Sequence, residues 1–145
     1  MNSEARAVTA CVIDDDRIFT FGITKLMEIT GLFSPTMQFI NGQEAINFLS
    51  DPENGDNLPD VIFVDINMPV MNGWEFTRSF EEIKPRLGKN IPVYMVSSSV
   101  DLNDIQRAKS IPTLKDYIMK PINTTHLTNI FNSLNGDVEL VQYSS

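Results

Sequence analysis

Val8-Thr9-Ala10-Cys11-Val12-Ile13 is a short apolar run closed by Asp14-Asp15-Asp16. A run this short, apolar at successive positions, predicts a strand buried on both faces. The pattern then changes period. Phe19, Ile23, Leu26, Met27 and Thr30 recur at helical spacing, and Gly31 provides the stop. Thr36 to Ile40 predicts a second strand, and Asn41 can cap a helix carrying Ala45, Ile46, Phe48 and Leu49. Asp51 to Pro59 holds two Pro, one Gly, two Asn and three acids, which predicts a loop. Val61-Ile62-Phe63-Val64 is a continuous β-branched and aromatic strand ending at Asp65. Pro69 and Gly73 bracket a loop before a helix over Trp74 to Ile83, which closes ahead of Pro85. Ile91 to Val96 predicts a fourth strand with Pro92 near its start. Asp101 can cap a helix running to Lys109, and Leu114 to Met119 predicts a fifth, less regular strand. Leu127, Ile130, Phe131 and Leu134 mark a last helix. The domain is expected over 7–135, with a short polar tail over 136–145.

Five strands, each followed by a helix, predict an α/β fold: a doubly wound parallel sheet covered on both faces. The order of the strands cannot be read from this pattern. In such sheets, sites lie outside the carboxyl ends of the strands. The residues at those ends are Asp14 and Asp15, Asp65, Ser97 and Lys120. Each has an ordinary reading when taken alone. An acid after a strand caps a helix or sits in a solvated turn, as Asp16 would. A lone serine is a turn residue, and a lone lysine a solvated charge. Four strand ends brought together carry more information than any one of them.

Composition narrows the chemistry. The chain has 145 residues, enough for one domain that buries roughly two-thirds of its unfolded surface without a staple. Eleven basic against 19 acidic residues give a net charge of −8, which argues against direct nucleic-acid binding and against docking on anionic membranes. One cysteine, Cys11, and one histidine are too few for a Cys/His zinc site. No stretch has the apolar length of a membrane span, and the N-terminal run meets three aspartates rather than a cleavage site. The expected compartment is a reducing cytoplasm.

Several carboxylates at one edge repel each other unless a cation joins them. Hard oxygen ligands without His or Cys suit Mg²⁺. A carboxylate held between Mg²⁺ and the Lys120 ammonium can attack phosphorus, because both cations offset charge on the transferring group. Ser97 can hydrogen-bond a phosphoryl oxygen. Together these residues predict phosphoryl transfer to an aspartate.

Four segments in order carry a family resemblance: Val12-Ile13-Asp14-Asp15-Asp16; Val64-Asp65-Ile66-Asn67-Met68-Pro69-Val70-Met71-Asn72-Gly73; Ile91-Pro92-Val93-Tyr94-Met95-Val96-Ser97-Ser98; and Tyr117-Ile118-Met119-Lys120-Pro121. They resemble the receiver (REC) domain of two-component response regulators, of the stand-alone, single-domain type. The resemblance implies a flavodoxin-like (βα)₅ sheet with strand order 2-1-3-4-5. Asp65 would be the phosphoacceptor. Asp15, Asp65 and the Asn67 carbonyl would ligate Mg²⁺, with Asp14 acting through water. Lys120 would pair with the phosphoryl group, and Ser97 and Tyr117 would form the switch pair. The implied partners are a sensor histidine kinase or histidine phosphotransfer protein and a downstream protein target. Beyond its own phosphorylation and dephosphorylation, such a domain would not be an enzyme. The chain departs from common choices in having Ser rather than Thr at 97 and Ser rather than Ala or Gly at 98.

Three other readings compete. A haloacid-dehalogenase-type phosphatase needs an acid two residues after its nucleophile, where Asn67 stands. A flavin- or nucleotide-binding protein needs a Gly- or Ser/Thr-rich cradle after the first strand, where three aspartates stand. A pseudo-receiver adaptor usually lacks the acceptor, an acid or the lysine, all of which are present.

Overall fold

The computed structural model describes residues 8–135, apart from the side chains of Ser34 and Pro35. The expected tail, 136–145, and Ala7 lie outside the described residues. Strands and helices alternate along the chain: β1 (Val8–Ile13), α1 (Arg17–Thr30), β2 (Phe33–Phe39), α2 (Gly42–Ser50), β3 (Val61–Val64), α3 (Gly73–Ile83), β4 (Val93–Ser97), α4 (Leu102–Lys109), β5 (Leu114–Met119) and α5 (Thr124–Leu134). All pairings are parallel, and the five strands lie in the order β2-β1-β3-β4-β5. This is the flavodoxin-like sheet that the resemblance implies.

Period-two alternation divides the strands between two cores. Cys11, Ile13, Ile62, Val64, Val93 and Met95 face one side, where Ala45, Leu49, Phe76, Phe80 and Ala108 of α2, α3 and α4 cover them. Ala10, Val12, Val61, Phe63, Tyr94 and Val96 face the other, under Ile23, Met27, Leu127 and Ile130 of α1 and α5. Each large side chain so buried contributes about 1.5–3 kcal/mol.

Local chemistry sets the helix ends. Asp16 caps α1, its carboxylate accepting from the amides of Ile18 and Phe19 at 3.0 and 3.2 Å. Gly31 ends α1 in the left-handed region at φ 70°, where a side chain would be strained. Asn41, Asn72, Asp101 and Asn123 cap the later helices through their side chains. The lone histidine, His126, completes the α5 capping box by accepting from the Asn123 amide.

Beyond shifts of a single residue, three stretches differ from the sequence expectation. β2 begins at Phe33 rather than Thr36, and the register shifts between its first pair and the rest. Pro35 made this stretch look broken, but β2 is an edge strand, where proline is tolerated. The expected loop contains a 3₁₀ turn over Pro52–Asn57, started by Asp51. β4 runs Val93–Ser97 rather than Ile91–Val96 and so delivers Ser97 as its final residue.

Gly73 links the fold to the site. Its amide donates to the Ile66 carbonyl at 2.8 Å. A Cβ at this position would collide with the Asp65 carbonyl and lie 3.0 Å from the Ile66 Cα. The requirement is close backbone approach, not a positive φ. Gly73→Ala should therefore destabilise the domain by about 1–3 kcal/mol. Chemical denaturation checks this: an unchanged midpoint would mean that the backbone after Asp65 shifts freely.

Candidate phosphoacceptor site

The register determines which residues meet. Ile13 of β1 pairs with both Val64 of β3 and Phe39 of β2, Val64 pairs with Met95 of β4, and Ser97 pairs with Met119 of β5. The residues that follow these pairs emerge at one edge. Asp14 follows β1, Asp65 follows β3 and Lys120 follows β5. Carboxylate oxygens of Asp14, Asp15 and Asp65 all lie within 4.8 Å of one another.

Lys120 Nζ stands 2.9 Å from Asp14 Oδ2 and 3.7 Å from Asp65 Oδ2. The Lys120 side chain is only 14% exposed. Asp14 Oδ1 accepts from the Asp16 amide at 2.9 Å. Asp14 Oδ2 is fully buried and, outside the lysine ion pair, has no hydrogen-bond partner among the described residues. Asp15 is exposed. With all three carboxylates ionised, one ammonium would leave a local excess of two negative charges. A divalent cation would balance that excess.

Burial is the main cause of the Asp65 pKa being pushed up to about 6, and the Asp14 charge raises it further while Lys120 opposes. Burial also raises Asp14, against the Lys120 contact and the Asp16 amide. The two acids thus sit in an environment that resists a full set of charges.

The model of the response regulator receiver domain family matches residues 10–132. The chain belongs to the receiver domain family. A two-component response regulator from Cytophaga hutchinsonii shares the fold with a TM-score of 0.82 and 30% identity, over 90% of this chain and 99% of that one. A response regulator receiver protein from Dyadobacter fermentans gives a TM-score of 0.77 and 30% identity, over 89% and 98%. The sensor histidine kinase CheAY of Helicobacter pylori is 34% identical over 128 residues, which is 86% of this chain but 15% of that protein. A protein-glutamate methylesterase/protein-glutamine glutaminase of Methanococcoides burtonii is 27% identical over 129 residues, or 34% of its length. The chain therefore spans a minor part of both relatives, and the enzymatic name of the second belongs to the longer protein. Among the described residues, no helix is long and apolar enough to cross a membrane.

The other expected residues of the receiver are placed as follows. Ser97 is buried, and its hydroxyl oxygen accepts from the Ser99 amide at 3.2 Å. Its carbonyl accepts from the Lys120 amide at 2.9 Å, which ties the ends of β4 and β5 together. Tyr117 is half-buried, pairs with Met95 across the sheet, and its hydroxyl donates to the Ser99 carbonyl at 2.8 Å. Asn67 is exposed in the loop between β3 and α3. Three further residues take part in the surroundings of these groups: Ser99, Asp104 and Phe19. The Ser99 hydroxyl donates to Asp104 Oδ2 of α4 at 2.8 Å. The Phe19 ring lies under Lys120 Nζ, 4.3 Å from its centroid. Phe19 had a signal only as a helical core position.

An acid whose pKa is higher in the folded state than in the unfolded chain favours folding when protonated. Between about pH 4, the ordinary carboxylate value, and about 6, the unfolded chain loses its proton first. Metal-free protein should lose stability as pH rises through that window and level off above it. Asp65→Asn should flatten the fall and raise stability at pH 7.5 by about 1–3 kcal/mol. Thermal unfolding from pH 4 to 8 measures both. A wild type that gains stability over the same window would contradict the carboxylate crowding.

Proposed function

We propose that this chain is a phosphoacceptor receiver that takes a phosphoryl group onto Asp65 in a Mg²⁺-dependent reaction. The observation that carries the reading is the position of Asp65: a buried carboxylate at the end of a central strand, between other carboxylates and one ammonium. Asp15, Asp65 and the Asn67 carbonyl would hold Mg²⁺, with Asp14 acting through water. The donor set fits, because it offers hard oxygens, a two-charge deficit of cation and spare lone pairs on Asp14 Oδ2. Bound Mg²⁺ would offset charge on the transferring phosphoryl group.

The chain's own residues do the rest. With its pKa near 6, Asp65 is mostly ionised at pH 7.5, so an oxygen with a free electron pair faces the donor. That oxygen forms the new O–P bond as the donor's bond to phosphorus breaks, and the electron pair leaves with the donor. From a phosphohistidine the leaving group is the imidazole nitrogen; from acetyl phosphate it is acetate. Lys120 is within a short swing of the arriving phosphoryl oxygens. Ser97 supplies a hydroxyl proton, since its oxygen already accepts from Ser99 and its hydrogen remains to be donated.

Receiver domains act with histidine kinases in two-component systems, so the donor is expected to be a sensor histidine kinase or a histidine phosphotransfer protein. The target is a protein that reads the phosphorylated face. Neither nucleic acid nor membrane is an expected direct partner of a chain with net charge −8. Residues 7–135 form the proposed receiver unit, and the residues after it the tail.

Acetyl phosphate with Mg²⁺ should label wild type at one site, with a bond labile to alkali. Asp65→Asn should take up no label, and chelation of Mg²⁺ should abolish labelling of wild type. Full labelling of Asp65→Asn would remove the assignment.

Ser97 and Tyr117 would relay the event. If Ser97 turns toward the phosphoryl group, its contact with Ser99 changes, and Ser99 is also the residue that holds the Tyr117 hydroxyl and Asp104 of α4. Tyr117→Ala should leave labelling near normal while removing the difference in partner affinity between unmodified and beryllofluoride-treated protein. Titration calorimetry against a partner captured from cell extract reads that difference. A full difference in the variant would exclude the tyrosine as relay.

A further inference from the structure

Among the described residues, the Lys120 ammonium has contacts with three side chains, and two of them have a proposed part. The third is Phe19, in the first turn of α1. Its ring centroid is 4.3 Å from Lys120 Nζ, within the distance at which the negative face of an aromatic ring attracts an ammonium. The contact involves the charged head of the lysine, not only its stem, so it differs from ordinary packing of a long side chain on an apolar surface. The ring is also firmly placed. The Phe19 amide is bound by the Asp16 cap, and the side chain packs on the core beneath α1 and α5.

We propose that Phe19 is a positioning residue for Lys120, holding the ammonium beside Asp65 without neutralising it. The inference rests on the phosphoacceptor reading of Asp65. The distances carry it: the ammonium is in contact with Asp14 at 2.9 Å and with the ring, but 0.8 Å farther from Asp65, at 3.7 Å. An acceptor oxygen in tight contact with a cation would have its lone pair occupied. A third carboxylate in place of the ring would hold the lysine harder and would repel an anionic phosphodonor. A neutral ring does neither. It attracts the cation weakly enough for the more highly charged phosphoryl oxygens to draw it away during transfer.

Phe19→Leu removes the ring's charge distribution and keeps an apolar side chain. Phe19→Tyr keeps the ring and tests whether rescue follows the aromatic face. The rate of labelling by acetyl phosphate at saturating Mg²⁺ should fall about fivefold in Phe19→Leu, in line with one partly desolvated cation–π contact. The half-saturating Mg²⁺ concentration should not change. Phe19→Tyr should label at close to the wild-type rate. In a Lys120→Met background, Phe19→Leu should have no further effect, because the ring acts through the ammonium. Independently of labelling, the Lys120 side-chain proton resonances of metal-free protein should carry a ring-current shift that disappears in Phe19→Leu and persists in Phe19→Tyr.

The outcomes separate cleanly. Slow labelling in Lys120→Met with wild-type labelling in Phe19→Leu overturns the positioning role alone. So does an equal loss from Phe19→Leu with and without Lys120, which would mark a purely structural effect. Wild type that takes up no label overturns the phosphoacceptor reading, and the ring-current shift then still decides whether the ring holds the lysine. Absence of that shift in wild type overturns the contact itself.

Discussion

The fold places two carboxylates, Asp14 and Asp65, at the buried ends of adjacent central strands and gives them one ammonium to share. Water is scarce there: Asp14 is 4% exposed and Asp65 8%. In such surroundings like charges are poorly screened, and each acid raises the cost of ionising the other. A site of this kind gains stability from added positive charge or a bound proton. Under the proposed function, that single constraint would make the site responsive to metal, to pH and to a covalently attached phosphoryl group, since each changes the same local charge balance.

The sheet creates this crowding through its register. Central strands β1, β3 and β4 send alternate residues into two differently filled cores, so a slip of one residue would exchange the two sets and is disfavoured by their packing. With the strands fixed, their terminal residues are fixed too. Hydrophobic burial in the body of the domain thus supports the electrostatic strain at its edge. The Gly73 contact extends the same logic to the loop after β3. Glycine stands where any side chain would press on the Asp65 backbone, so the main chain of Asp65 is closely braced there.

Much of this was legible in the chain. Short apolar runs marked the three central strands and weaker patterns the other two, and the residues closing β1, β3, β4 and β5 pointed to one candidate site, because parallel sheets gather strand ends. Asp16, Asn41 and Asp101 had the composition and position of helix caps, and all three cap helices. What periodicity could not supply was order. The contrast between continuous apolar runs in β1, β3 and β4 and the mixed sequences of β2 and β5 does match centre and edge, but it leaves the arrangement within each class open. The early start of β2 was hidden by Pro35, whose meaning depends on whether a strand lies at an edge. Phe19 is the plainest case of a role with no local trace. Its helical spacing marks an apolar face, and nothing near it in the chain indicates a lysine 101 positions away.

The neighbourhood of Ser97 offers a route for the proposed relay. Ser97, Ser99, Asp104 and Tyr117 form a connected set of hydrogen bonds spanning the ends of β4, α4 and β5. Ser99 is the common member: its amide meets Ser97, its hydroxyl meets Asp104, and its carbonyl meets Tyr117. If the Ser97 side chain were to rotate toward a phosphoryl group on Asp65, moving its oxygen, its contact with the Ser99 amide would change, and the other two contacts depend on where Ser99 then sits. Serine at 97 lacks the methyl that would restrict χ1, so reorientation there meets little steric resistance. The bonds to Asp104 and Tyr117 supply the opposing preference. The proposed relay requires a second arrangement of this set, satisfying different groups, for a phosphoryl group to change binding at a surface it does not touch.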